Sequence, residues 1–182
     1  VERRSTVLSV TAKTGGSGPL VFVEVEHLTS GNGALVVREV QSLVYRDPAP
    51  AGSLSAPPPM GEAHFDPSGW DAHRALVPQE PLLFRYSALT FNSHRIHYDL
   101  AYATGEEGYR GLVVHGPLTA TLLLDLARRE LGDNALKSFA FRGMSPAICG
   151  EMLHLVLRSK NAAWELGAFA ADGRQVMSAS AN

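Results

Sequence analysis

An α+β fold, with an antiparallel sheet wrapped around one buried helix, is predicted by three features of the 182-residue sequence. Strand-like runs open the chain with no helix between them. One leucine-rich helix near the middle has a proline at its start and a glycine just past its end. Further strand-like runs follow it to the last residue.

The opening runs are Ser5 to Ala12, Leu20 to His27 and Ala34 to Tyr45, all rich in β-branched residues. In the second, Val23, Glu24, Val25 and Glu26 alternate apolar with charged, as a strand with one wet face does. Gly15-Gly16-Ser17-Gly18 and Ser30-Gly31-Asn32-Gly33 supply the intervening turns. Three such strands leave an apolar face bare, so a covering element is expected from elsewhere. Asp47 to Pro59 reads DPAPAGSLSAPPP, the composition of an extended linker. The predicted organisation is therefore strands in 1–47, a linker at 48–59 and a second unit at 60–182. Both ends of the chain fall in strand-like patterns and read as cut from something longer.

In the second unit, Pro81 to Ala88 is expected to be a strand and Thr90 to Tyr98 a polar, histidine-rich loop. Asp99 to Thr104 reads as a short helix stopped by Gly105, with Asp99 placed to cap it. Gly108 to Gly116 is a loop or strand edge. Pro117 to Leu131 is the strongest helix, with proline in the first turn and Gly132 just beyond the end. Leu118, Leu122, Leu123, Leu124, Leu126 and Leu131 leave it little polar face, so it should be largely buried. Strands are expected at Ser138 to Arg142, Met152 to Ser159 and Trp164 to Ala170, with a last one after the Asp172-Gly173 turn.

The bulk composition narrows the function classes. Hydrophobic residues make up 45% and charged residues 19%, with a formal charge of -2. That balance offers no electrostatic footprint for nucleic acid or an anionic membrane. No apolar run approaches the ~18 residues that span a bilayer. Cys149 is the single cysteine, which excludes an internal disulfide and cysteine-based metal clusters and points to a reducing compartment. A cytoplasmic location is expected, or the mitochondrial matrix in a eukaryote. His94 and His97 have possible ligand spacing, but no further cluster completes a metal site, so neither metal nor cofactor is expected.

The chemistry is concentrated in FRYSALTFNSHRIHYD, Phe84 to Asp99, with a second centre at His115-Gly116. His97 has an ordinary pKa near ~6.5, suited to exchanging protons with water. Asn92 can orient a water through its amide. The N–H of Gly116, opening an apolar helix, is a candidate donor to a developing negative charge. These are the requirements for adding water to an enoyl thioester: a proton acceptor for the water, a proton for the α-carbon, and hydrogen bonds to the thioester oxygen. The leucines of Leu118 to Leu131 are core.

The run Thr90 to His97, TFNSHRIH, resembles the signature of the MaoC-like, R-specific enoyl-CoA hydratases, usually written Ser/Thr-Gly-Asp-x-Asn-Pro-Ile-His. It is more similar still to a subgroup, the 3-hydroxyacyl-thioester dehydratases and the mesaconyl- and itaconyl-CoA hydratases. These carry a phrase like FRYSALTFNSHRIHYD followed by one like EGYRGLVVHGPL, here Glu107 to Leu118. The resemblance implies a hotdog fold, as a double hotdog whose first half is incomplete in this chain, and a homodimer. It implies a hydro-lyase acting on an acyl-CoA or acyl-carrier-protein thioester, with a short branched dicarboxylic acyl group favoured. His97 carries over as the acid–base residue and Gly116 as the oxyanion donor. Asn92 stands where the family has an aspartate, and it is assigned the water-orienting role. His94, Arg95, His115 and Arg142 are assigned to substrate binding, while Arg110, Arg158 and Lys160 are, like Arg142, candidate cations for a CoA phosphate or a substrate carboxylate. A hotdog thioesterase and a non-catalytic acyl-CoA-binding half are the alternative readings.

Overall fold

The computed structural model describes residues 1–15, 18–47, 57 and 59–182. Two compact units divide at Ala51 and Gly52. The expected linker, 48–59, lies outside the described residues except for Pro57 and Pro59, as do Gly16 and Ser17 of the first turn.

The first unit is an antiparallel meander of β1 (Glu2–Gly15), β2 (Gly18–Gly31) and β3 (Ala34–Arg46), in that spatial order. The strands are longer than the β-branched runs that announce them. A meander of three strands cannot bury both faces of its sheet, and Val10, Val36, Val40 and Val44 remain exposed.

The second unit is a hotdog. Its antiparallel sheet has the order β4-β6-β7-β8-β5, built from β4 (Ala72–Leu76), β5 (Phe139–Gly143), β6 (Leu153–Lys160), β7 (Ala163–Ala170) and β8 (Gln175–Ala181). Every second residue points inward, so Leu153, Leu155 and Leu157 of β6, Leu166 and Ala168 of β7, and Met177 and Ala179 of β8 are buried together. The helix α3 (Gly116–Leu131) packs on β6, β7 and β8 through Thr119, Leu123, Leu126 and Ala127. The helix is less buried than its leucines imply. Leu124 is 39% exposed, and Thr121, Arg128 and Arg129 share the outer side. On that side Asp125 accepts from Arg74 of β4 and from Arg128 and Arg129 at 2.7–3.0 Å, which ties the helix to the sheet edge and holds its carboxyl down at about 2.

The segment expected as a strand from Pro81 to Ala88 is instead helix α1 (Glu80–Thr90). Its buried residues, Leu83 and Ser87, are four apart, which is the spacing of a helical face. Pro81 sits in the first turn, where its missing N–H costs nothing. The segment contains no β-branched residue before Thr90, so the strand reading rested on hydrophobicity alone. The helix ends at Phe91, which adopts left-handed backbone with φ 51°. The Asn92 N–H then reaches back to the Ser87 carbonyl at 2.9 Å, and the chain turns sharply into the histidine segment.

That segment holds a 3-10 turn, Arg95–His97, and then α2 (Leu100–Gly105). Asp99 caps α2 as expected, its Oδ1 accepting from the Tyr102 N–H at 3.0 Å. No helix among the described residues is long and apolar enough to cross a membrane.

Candidate active site

Three short backbone bonds lock the two histidine centres together. Val113 N–H donates to the Ile96 carbonyl at 2.9 Å, Val114 N–H to the Ala147 carbonyl at 2.9 Å, and Cys149 N–H to the Leu112 carbonyl at 2.8 Å. Residues 112–114 are thereby held between the 3-10 turn and the 147–149 loop. Gly111 is needed for this close approach, since a Cβ there would meet Ile148 at 2.9 Å. The result is that His97 and His115, eighteen residues apart, stack face to face. Their ring centroids are 3.7 Å apart with planes 19° from parallel.

His97 is 7% exposed. Its Nδ1 lies 2.7 Å from the Val113 carbonyl oxygen. A carbonyl only accepts, so Nδ1 carries the proton and Nε2 is left with a free lone pair. Nε2 has no partner among the described residues. Burial pushes the His97 pKa below its ordinary 6.5; the Val113 carbonyl opposes this and the nearby His94 adds to it. The imidazole is therefore neutral at pH 7, with its basic nitrogen available.

His115 is fully buried. Burial and the neighbouring His97 lower its pKa to about 4. Its Nε2 lies 2.8 Å from the Ser87 hydroxyl, and Tyr86 meets the ring edge-on at 5.0 Å. The Asn92 Oδ1 accepts from the His94 N–H at 3.0 Å, an Asx turn that fixes which way the amide faces. Its Nδ2 group has no partner among the described residues, so Asn92 can hold a water oxygen by donation. The His94 ring lies edge-on to His97 at 5.6 Å. Asn92, His94, His97, His115 and Ser87 thus form a closed circuit of contacts.

A depression of about 370 Å³ opens beside this circuit, lined by Phe84, Ser87, Phe91, Asn92 and Tyr98 among others. Gly116 sits at the first turn of α3, where N–H groups have no intrahelical acceptor. A Cβ at Gly116 would meet no atom within 4 Å, so the fold leaves the space above it open.

Other predicted residues fall outside this group. Arg95 is exposed and committed: its guanidinium donates twice to Asp99, at 2.7 and 3.0 Å, and lies over the Tyr102 ring at 4.1 Å. Arg142 is on β5 in a different and larger hollow, about 570 Å³, with Lys160 and Trp164. Arg110 pairs with Glu151, while Arg158 and Lys160 both pair with Glu165. Ser87 and the Val113 carbonyl were not singled out from the sequence. Ser87 could have been found by reading Leu83, Tyr86 and Ser87 as one helical face. Among the described residues no group of three metal-ligating side chains is assembled.

The family model for hydroxyacyl-thioester dehydratase type 2 matches residues 1–149, which include every member of the circuit. The chain belongs to that family. The dehydratase-family chain is 41% identical over 180 residues to the mesaconyl-C(4)-CoA hydratase of Chloroflexus aurantiacus, covering 97% of the chain and 61% of that relative. It is 32% identical over 133 residues to the mitochondrial hydroxyacyl-thioester dehydratase type 2 of Schizosaccharomyces pombe, covering 71% of the chain and 42% of that relative. It therefore spans less than two thirds of the length of either. A MaoC-like dehydratase from Phytophthora capsici superposes over 98% of the chain and 60% of its own, with a TM-score of 0.71 at 15% identity, which bears out the MaoC-like fold.

Proposed function

We propose that this family member is a hydro-lyase that adds water reversibly across the α,β double bond of an acyl thioester. The observation that carries the reading is His97: neutral, with Nδ1 tied to the Val113 carbonyl and Nε2 free to accept a proton. In the reaction, the Asn92 amide donates to the oxygen of a water while His97 Nε2 takes its proton as the oxygen bonds to the β-carbon. The proton then returns from His97 to the α-carbon. The Gly116 N–H donates to the thioester oxygen while that oxygen carries the enolate charge. Asn92 cannot act as a second base, so a single histidine handles the proton in both directions.

A CoA ester of a short branched dicarboxylic acid is the preferred substrate in this reading, supported by the name of the 41% identical relative. Ordinary 3-hydroxyacyl chains, on CoA or on an acyl-carrier protein, come next. The chain organisation belongs to the same proposal: residues 1–47 close an incomplete first hotdog half and residues 60–182 form the complete one, working as a homodimer in the cytoplasm. The separate three-stranded meander supports this division. The test is turnover of an enoyl-CoA panel. Loss of the conjugated enoyl absorbance without release of free thiol is expected. Thiol release with the double bond intact would assign a thioesterase instead, and tight binding with no turnover a non-catalytic module.

A further inference from the structure

The mechanism above uses His97, Asn92 and Gly116, and leaves the buried Ser87–His115 pair without a task. Among the described residues the two ring nitrogens of His115 have one hydrogen-bond partner between them: Nε2 lies 2.8 Å from the Ser87 Oγ, while Nδ1 is buried with none. If the ring proton sat on Nδ1, a buried N–H would be orphaned, which folded proteins almost never tolerate. With the proton on Nε2, only a lone pair is left unpaired. His115 then donates to Ser87, and the Ser87 hydroxyl, already accepting, must donate its own proton elsewhere.

No acceptor for that proton exists among the described residues. Thr90 and Thr104 turn their hydroxyls back to the carbonyls four residues earlier, but Ser87 does not. Ser87 instead lines the depression shared with Asn92, Phe84 and Phe91. We propose that Ser87 donates a hydrogen bond to an oxygen of the bound acyl thioester, with His115 as the positioning residue that holds the hydroxyl. This rests on the hydro-lyase reading for the identity of the ligand. The neutrality of His115 over the working pH range keeps its tautomer, and so the direction of the bond, fixed.

The experiment uses the full chain and three readouts. Nitrogen NMR of His115 should show a protonated Nε2 and a bare Nδ1 at pH 7; the opposite tautomer overturns the proposal. Ser87→Ala should bind butyryl-CoA, which cannot be hydrated, about 10-fold more weakly. It should hydrate crotonyl-CoA about 100-fold more slowly in kcat/KM, the scale of one lost donor at a developing oxyanion. Ser87→Thr, which keeps the hydroxyl, should recover most of both. Unchanged binding and turnover in a folded Ser87→Ala overturns the proposal. If the natural sequence itself hydrates nothing, the hydro-lyase reading falls alone, and butyryl-CoA binding with the tautomer still decides Ser87.

Discussion

His97 and His115 stack with their centroids 3.7 Å apart, so a proton on one ring opposes a proton on the other. Burial of His115, with its pKa at about 4, assigns the proton to His97. That asymmetry turns two adjacent imidazoles into one base and one fixed neutral neighbour.

The acid limb of the pH–rate profile reports His97. Its pKa lies below 6.5, so kcat/KM should hold steady from pH 8 to pH 7 and fall only below 6.5. An acid limb above pH 7 would place the proton transfer on another group.

Stability should carry the His115 signature. An unfolded histidine titrates near 6.5 and the folded His115 at about 4, so between those values the unfolded chain binds more protons. The His115 contribution is complete above pH 6.5 and is lost as pH falls toward 4, to the extent of about 3 kcal/mol. Urea denaturation at pH 7 and pH 4.5 checks this. His115→Asn should show a smaller drop between the two pH values than the natural chain; equal drops would contradict it.

Gly116 separates fold from chemistry. Its backbone is not left-handed and a Cβ there meets nothing within 4 Å, so Gly116→Ala should keep or slightly raise the melting temperature. A methyl in the space where the thioester approaches should nonetheless lower kcat/KM by about 10-fold or more. Full activity would remove Gly116 from the site.

Phe91 carries left-handed strain while 95% exposed. Phe91→Gly should stabilise the fold by about 1 kcal/mol, because glycine adopts φ 51° without steric cost. It should also raise KM, by removing an aromatic wall of the depression. Calorimetry and steady-state kinetics on one sample read both effects.

The sequence made the local features legible and missed the ones that depend on distant pairing. His97, Asn92 and Gly116 lie in phrases whose residue types announce proton transfer and a helix start. The Asp99 cap and both ends of α3 were readable because capping is decided within four residues. Helix α1 reads as a strand in the sequence, since PLLFRYSA has apolar content that suits either state until Leu83 and Ser87 are seen on one face. On a strand reading Ser87 has no distinguished place. Strand β4, AHRAL, has too few apolar residues to announce itself and exists through its pairing with β6. The histidine stack and the Val113 anchor join segments sixteen to eighteen residues apart and leave no periodic trace.

The most direct measurement compares the natural chain with His97→Gln on one enoyl-CoA, following the conjugated absorbance while circular dichroism confirms the fold. Glutamine can still donate to the Val113 carbonyl but offers no basic nitrogen. The variant should therefore stay folded and lose about 100- to 10,000-fold in kcat. A folded His97→Gln that hydrates as fast as the natural chain would contradict the assignment of His97 as the base.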